Sequence, residues 1–195
     1  MESVAAHLSR RALTGVMTGL ILAGCASRGV QRAATHSTSP SHLRSRGAGV
    51  ASSLRPTPGD LSVPAAFSYT DDEDETSDCI FYAATDVPVG LVVYLDGDGQ
   101  PFHSEGNLDR SERSRGGLAG AGGVVEAASA RGYDVVSVRA PGDDGSWWLE
   151  DQDGKVRYLE QALDYVVAGC GATTDRVWLV GYSGGSEFIS QWFFP

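Results

Sequence analysis

The chain has 195 residues, 42% of them hydrophobic, and a formal net charge of −10, so it is long enough for one domain with a hydrophobic core. Residues 1–59 hold seven basic side chains and one acidic, a net charge of +6, whereas residues 60–195 hold eight basic and twenty-four acidic, a net charge of −16. The acidic part argues against nucleic acid as a partner because phosphates would repel it. The asymmetry is typical of a targeting segment ahead of a mature domain.

The N-terminal residues have the anatomy of an export signal. Arg10 and Arg11 precede an uncharged, largely apolar run at residues 12–23, which is shorter than the roughly 20 residues that a membrane span needs. A Leu-Ala-Gly-Cys sequence ending at Cys25 resembles the lipobox of bacterial lipoproteins. This resemblance implies that residues 1–24 are a signal peptide, that the Cys25 thiol is lipidated, and that the exported protein is anchored to the cell membrane, facing outside the cytoplasm. An ordinary cleaved signal is the alternative, and the arginine pair fits the twin-arginine and the general secretory routes equally well.

Residues 25–66 are predicted to be a disordered tether between the anchor and the domain. The segment is rich in small and polar residues and has almost no large apolar side chains, so it cannot bury enough surface to offset its ordering entropy. The folded part is then a domain over residues 67–195. The acidic run at residues 71–75, near the start of this domain, is interpreted as a solvated turn, because it lacks the spaced ligands of a calcium loop.

The three cysteines divide into one candidate lipid anchor and one candidate pair. If Cys25 is lipidated, Cys79 and Cys170 are left together in an oxidising compartment. A disulfide between them and two buried thiols are both plausible.

The domain alternates strand patterns with helix patterns. Short apolar runs at residues 79–84, 91–95, 134–138 and 177–180 are strand candidates. Helical patterns lie at residues 116–131 and after Asp153, where apolar residues recur at helical spacing: Val156, Leu159, Leu163, Val166 and Val167. The alternation predicts an α/β fold, with a mostly parallel sheet and helices on both of its faces.

The last strand candidate runs directly into Gly181, Tyr182, Ser183, Gly184 and Gly185. A sharp turn from a strand into a helix forces its apex residue into strained backbone angles, and the residues two places away must be small to avoid Cβ clashes. Gly-x-Ser-x-Gly meets this need. The sequence therefore predicts a strand up to Gly181, a strained Ser183, and a helix beginning within about two residues of Gly185.

With this motif and the alternation, the chain resembles the α/β-hydrolase superfamily, and most of all secreted esterases and depolymerases of the polyhydroxybutyrate and feruloyl type. The resemblance implies that Ser183 is the nucleophile of a carboxylic-ester hydrolase. It also implies an oxyanion hole from the backbone N–H groups of Gly184 and of the Asp98 turn. Asp96 stands where these families commonly have a histidine, in a position that braces the loop. The substrate would be a small-molecule or polymeric ester, with no metal and no cofactor.

Trp147 and Trp148 lie in the loop after the third strand candidate, on the same side of the sheet as the elbow. They are candidates for the lining of an acyl or aromatic pocket. Packing against a neighbouring loop is the alternative.

The triad expected from the resemblance does not close within this sequence. The family order is serine, acid, histidine, but Glu187 is the sole acid after Ser183 and no histidine follows it. Without a base, a serine keeps its proton and is a poor nucleophile. The expectation is that these 195 residues are the front part of a longer hydrolase.

Two other readings of the sequence remain. Chymotrypsin-like proteases run histidine, aspartate, serine, and His103 with Asp134 or Asp164 falls in that order before Ser183. The alternation with helices contradicts the double β-barrel of those proteases. The other reading is a non-catalytic lipoprotein that binds an envelope ligand on a hydrolase-like scaffold.

Overall fold

The computed structural model describes Gly59 and residues 64–85, 87–170 and 176–194. The predicted signal peptide, Cys25 and most of the predicted tether lie outside the described residues. Within the described residues, no helix has the length and apolar character to cross a membrane.

A five-stranded sheet forms the centre of the domain. Its strands are β1 (Ala65–Thr70), β2 (Thr76–Tyr82), β3 (Gly90–Leu95), β4 (Tyr133–Val138) and β5 (Val177–Gly181). The four strands predicted from apolar runs correspond to β2 to β5. β1 was not predicted, and it begins at Ala65, two residues before the expected start of the domain.

The sheet is mixed, not mostly parallel as expected. Its strand order is β1-β2-β4-β3-β5. β3 pairs in parallel with β4 and with β5, whereas β2 is antiparallel to both β1 and β4. The three parallel strands share one carboxyl edge, and the loops at that edge carry Asp98, Trp148 and Ser183.

Helices cover both faces of the sheet, which places the domain in the α/β class. They are α1 (Pro101–Ser104), α2 (Val124–Ser129), α3 (Gln152–Cys170) and α4 (Gly184–Phe188), the last continuing into a π-helical turn at Ile189–Phe193. Successive residues of β3 point to opposite faces. Leu91, Val93 and Leu95 therefore pack in the core under α3, while Val92 and Tyr94 pack in the core under α2.

The acidic run at residues 71–75 is a turn, but one of its sides is docked on α3. Arg157 of α3 pairs with Glu73 at 2.7 Å and lies 3.7 Å from Asp71. Gln161, one helical turn further along, donates to Asp72 at 2.6 Å. The turn therefore joins the β1–β2 hairpin to α3 through these contacts.

Cys79 lies on β2 as a free, fully buried thiol. Of the two alternatives for Cys79 and Cys170, a free thiol at Cys79 agrees with unpaired cysteines, and the side chain of Cys170 lies outside the described residues. Burial raises the pKa of the Cys79 thiol, because the apolar core disfavours the thiolate. This thiol belongs to the core.

Candidate active site

Ser183 stands at the apex of a strand–turn–helix. β5 ends at Gly181 and α4 begins at Gly184, as the sequence predicts. Ser183 has φ 48° and ψ −119°, a combination that costs a residue with a Cβ about 1–3 kcal/mol. Such strain persists only where the surrounding structure enforces it.

The two outer glycines of the motif have no room for a side chain. A Cβ on Gly181 would lie 2.5 Å from the backbone nitrogen of Ser186, and one on Gly185 would lie 2.7 Å from the backbone oxygen of Asp96. Real Cβ atoms do not approach backbone so closely. Glycine at both positions is what lets α4 start against the end of β3.

The loop after β3 lies directly beside the serine. The N–H of Tyr182 donates to the carbonyl of Leu95 at 3.0 Å, which continues the β3–β5 ladder into the turn. A Cβ on Gly97 would lie 3.0 Å from the Cβ of Ser183. The glycine after Asp96 is therefore needed for this loop to reach the elbow.

Asp96 braces this loop, as expected for its position. Its carboxylate is fully buried and accepts from the backbone N–H of Gly97 and of His103, both at 2.8 Å. The hydroxyl of Tyr94 also donates to it at 3.3 Å. The carboxylate thus fixes both ends of the turn that contains Asp98.

The expected oxyanion donors lie on these two loops. Among the described residues, no acceptor takes the backbone N–H of Gly184 or of Asp98. Gly184 is the first residue of α4, where N–H groups have no partner within the helix. Both N–H groups are therefore without an acceptor among the described residues.

The side chain of Asp98 makes contacts that the sequence did not indicate. Its carboxylate accepts from the hydroxyl of Ser146 at 2.6 Å and from the indole N–H of Trp148 at 3.0 Å. A Cβ on Gly184 would lie 2.7 Å from the same carboxylate oxygen and 2.6 Å from the Trp148 ring. Asp98 and Trp148 therefore rest together on the residue that follows Ser183.

The two tryptophans have different environments. Trp147 is fully buried and packs on Phe188 of α4, with ring centroids 5.1 Å apart, so it is a core residue and does not line a surface pocket. Trp148 lies on the surface of the elbow. Tyr182 was assigned only to the elbow, but half of its surface is exposed and its ring meets Phe102 edge-on at 5.1 Å. An aromatic pair therefore flanks the serine.

His103, the one histidine among the described residues, is engaged elsewhere. Its ring Nδ1 lies 2.8 Å from the hydroxyl of Ser137 on β4. Burial, with a smaller effect of Arg139, lowers its pKa to about 4, so the ring is neutral near pH 7. Asp134, its partner in the protease-like order, accepts from the backbone N–H of Ala84. The strand–turn–helix around Ser183 likewise departs from a double β-barrel.

Within the described residues, no group of three or more metal-ligating side chains is placed to hold an ion. No protein-family model matches the chain, and no curated protein does. The α/β class and the geometry around Ser183 rest on the structure itself.

Proposed function

We propose that this protein is a serine hydrolase of the cell envelope that cleaves carboxylic esters, with Ser183 as the nucleophile. The observation that carries the proposal is the backbone of Ser183, held at φ 48° and ψ −119° between two glycines that have no room for a Cβ. The strained turn leaves the Ser183 side chain exposed at the carboxyl edge of the parallel strands, beside two N–H groups that no acceptor among the described residues takes.

The geometry supports the following reaction. The Ser183 oxygen attacks the ester carbonyl, its proton passes to a base, and the tetrahedral oxyanion accepts hydrogen bonds from Gly184 and Asp98. Each such donor is worth about 3–4 kcal/mol of the barrier. The alcohol then leaves with a proton, and water releases the acid from the acyl-serine.

The base is the missing part of this scheme. His103 is bonded to Ser137, so the described residues place no histidine beside Ser183. The resemblance to α/β-hydrolases implies that an acid and a histidine complete the triad. Because a diffusible base can stand in for a missing histidine, imidazole in the buffer provides a test that needs no further residues.

The test is hydrolysis of p-nitrophenyl butyrate with and without 50 mM imidazole, comparing the wild type with Ser183→Ala. Imidazole cleaves this ester by itself, so the variant supplies the background. We expect imidazole to raise the rate of the wild type at least tenfold above that of the variant. Mass spectrometry should also find an alkyl fluorophosphonate attached to the peptide that contains Ser183. Equal rates in the two proteins, together with an unlabelled Ser183, would contradict the proposal and favour the non-catalytic, ligand-binding alternative.

We also propose that the protein is exported and held at the membrane by a lipid on Cys25. The support is the Leu-Ala-Gly-Cys sequence behind an apolar run and two arginines. Mass spectrometry of the exported protein should show that residues 1–24 are absent and that Cys25 carries a diacylglyceryl group. A Cys25→Ser variant that partitions into membranes like the wild type would refute this anchor.

A further inference from the structure

The Asp98 carboxylate lies next to Gly184, the residue that follows Ser183. Its Oδ1 is 2.7 Å from the position that a Cβ on Gly184 would take, so it is in contact with the residue that supplies an oxyanion donor. A carbonyl oxygen that accepts from the Gly184 N–H must therefore bring its acyl substituents close to this carboxylate.

Uncharged donors hold the Asp98 carboxylate. Its partners are the hydroxyl of Ser146 and the indole N–H of Trp148, and both of these donors are neutral. Among the described residues no cation forms a salt bridge with Asp98. Held by two donors from a neighbouring loop, the carboxylate also cannot swing away from a substrate as an ordinary surface aspartate does.

The surroundings add to the negative potential. The loop between β4 and α3, which carries Ser146 and Trp148, also forms a groove of about 310 Å³. Five carboxylates line this groove, from Glu75, Asp143, Asp144, Glu150 and Asp151. Its one ammonium, that of Lys155, is already paired with Asp144 at 2.7 Å. Apart from this paired ammonium, the charged groups of the groove have the same sign as Asp98.

We propose that Asp98 is a specificity-determining residue that makes the Ser183 site select esters with a positively charged acyl group and reject those with a negatively charged one. This inference rests on the proposed function. Its physical basis is that a fixed charge next to the reacting carbonyl acts on the acyl group over a distance shorter than the screening length of the solution. The same carboxylate also positions the loop whose N–H is the second oxyanion donor.

The test compares three p-nitrophenyl esters: the neutral butyrate, the anionic hemisuccinate and the cationic 4-(trimethylammonio)butyrate. Each is assayed on the wild type and on Asp98→Asn, with imidazole present and the Ser183→Ala rate subtracted. Asparagine keeps the size of the side chain and an oxygen that accepts from Ser146 and Trp148. It therefore removes the charge and keeps these two hydrogen bonds. Asp109→Asn is the matched control, because it makes the same change in net charge at an exposed site.

We expect the ratio of kcat/KM for the cationic ester to that for the anionic ester to fall about tenfold in Asp98→Asn, equivalent to about 1.4 kcal/mol, and to stay unchanged in Asp109→Asn. The wild-type ratio should also fall between 0.02 and 0.5 M salt, since screening shortens the reach of the charge. An unchanged ratio in Asp98→Asn, with clear Ser183-dependent turnover, would overturn this inference and leave the proposed function standing. Absence of Ser183-dependent turnover in the wild type would overturn both.

Discussion

Replacing Ser183 with glycine is expected to make the protein more stable while it removes the nucleophile. Ser183 holds φ 48° and ψ −119°, which costs about 1–3 kcal/mol for a residue with a Cβ and almost nothing for glycine. Glycine also lowers the free energy of unfolding by about 0.5–1 kcal/mol, because it increases the entropy of the unfolded chain. The Ser183 side chain makes no capping hydrogen bond on α4, so little else is lost. The net gain is about 0.5–2 kcal/mol.

Urea unfolding followed by circular dichroism measures this gain, and thermal unfolding should show a rise in Tm of about 2–6 °C. Two controls separate relief of strain from other effects. Ser183→Ala keeps the Cβ and should stay within about 0.5 kcal/mol of the wild type. Ser190→Gly, on the helical turn after α4, should lose about 0.5–1 kcal/mol. If Ser183→Gly were no more stable than Ser183→Ala, the reasoning from backbone strain would be refuted.

Three other changes follow from the same structure. Gly185→Ala should destabilise the fold by at least about 2 kcal/mol in urea, because its Cβ meets the Asp96 carbonyl; a wild-type midpoint would show that the turn relaxes. Trp147→Ala should cost about 3–5 kcal/mol in the same assay by emptying the core beside Phe188, and a loss under 1 kcal/mol would place Trp147 outside the core. His103 has a folded pKa of about 4, below its unfolded value of about 6.5, so the unfolded state binds the proton more tightly. The free energy of unfolding should therefore keep its full value above pH 6.5 and be about 3 kcal/mol lower at pH 4. A His103→Gln variant with the same pH profile would contradict this.

Local patterns in the sequence were enough to predict the elbow. The apolar run of β5 and the spacing of Gly181, Ser183 and Gly185 act within a few residues of one another. Steric exclusion at that range depends little on the rest of the fold. The helical pattern at residues 116–131 predicts a longer helix than the structure has. Only Val124–Ser129 is helical, because the glycines in this stretch end regular structure.

Long-range features of the structure could not be predicted in the same way. The direction of β2 relative to its neighbour β4 is set by how the chain folds between them. An apolar run does not indicate whether a strand is parallel or antiparallel. β1 alternates half-buried and exposed residues, so it has no continuous apolar run to mark it. Trp147 and Trp148 are neighbours in sequence, and only the packing of Phe188 against one of them decides which is buried.

The position of Asp98 shows the same limit at the site itself. The sequence assigned a backbone N–H to this residue through the family resemblance, and nothing in a Gly-Asp-Gly run indicates that the carboxylate meets Trp148, fifty residues later. Pairs of that kind depend on two loops meeting at one sheet edge. They become visible only in three dimensions.

The contacts between β3 and the elbow have a consequence for how this protein can change over evolution. The Leu95 carbonyl receives the Tyr182 N–H, and the Asp96 carbonyl lies where a Cβ of Gly185 would be. These contacts are made by backbone atoms, so they are indifferent to which apolar side chains β3 carries. Mutational drift in the interior of β3 can therefore alter stability while the angle at which Ser183 is presented stays the same. Homologues that keep Gly181 and Gly185 can then be expected to differ freely in the apolar residues of β3.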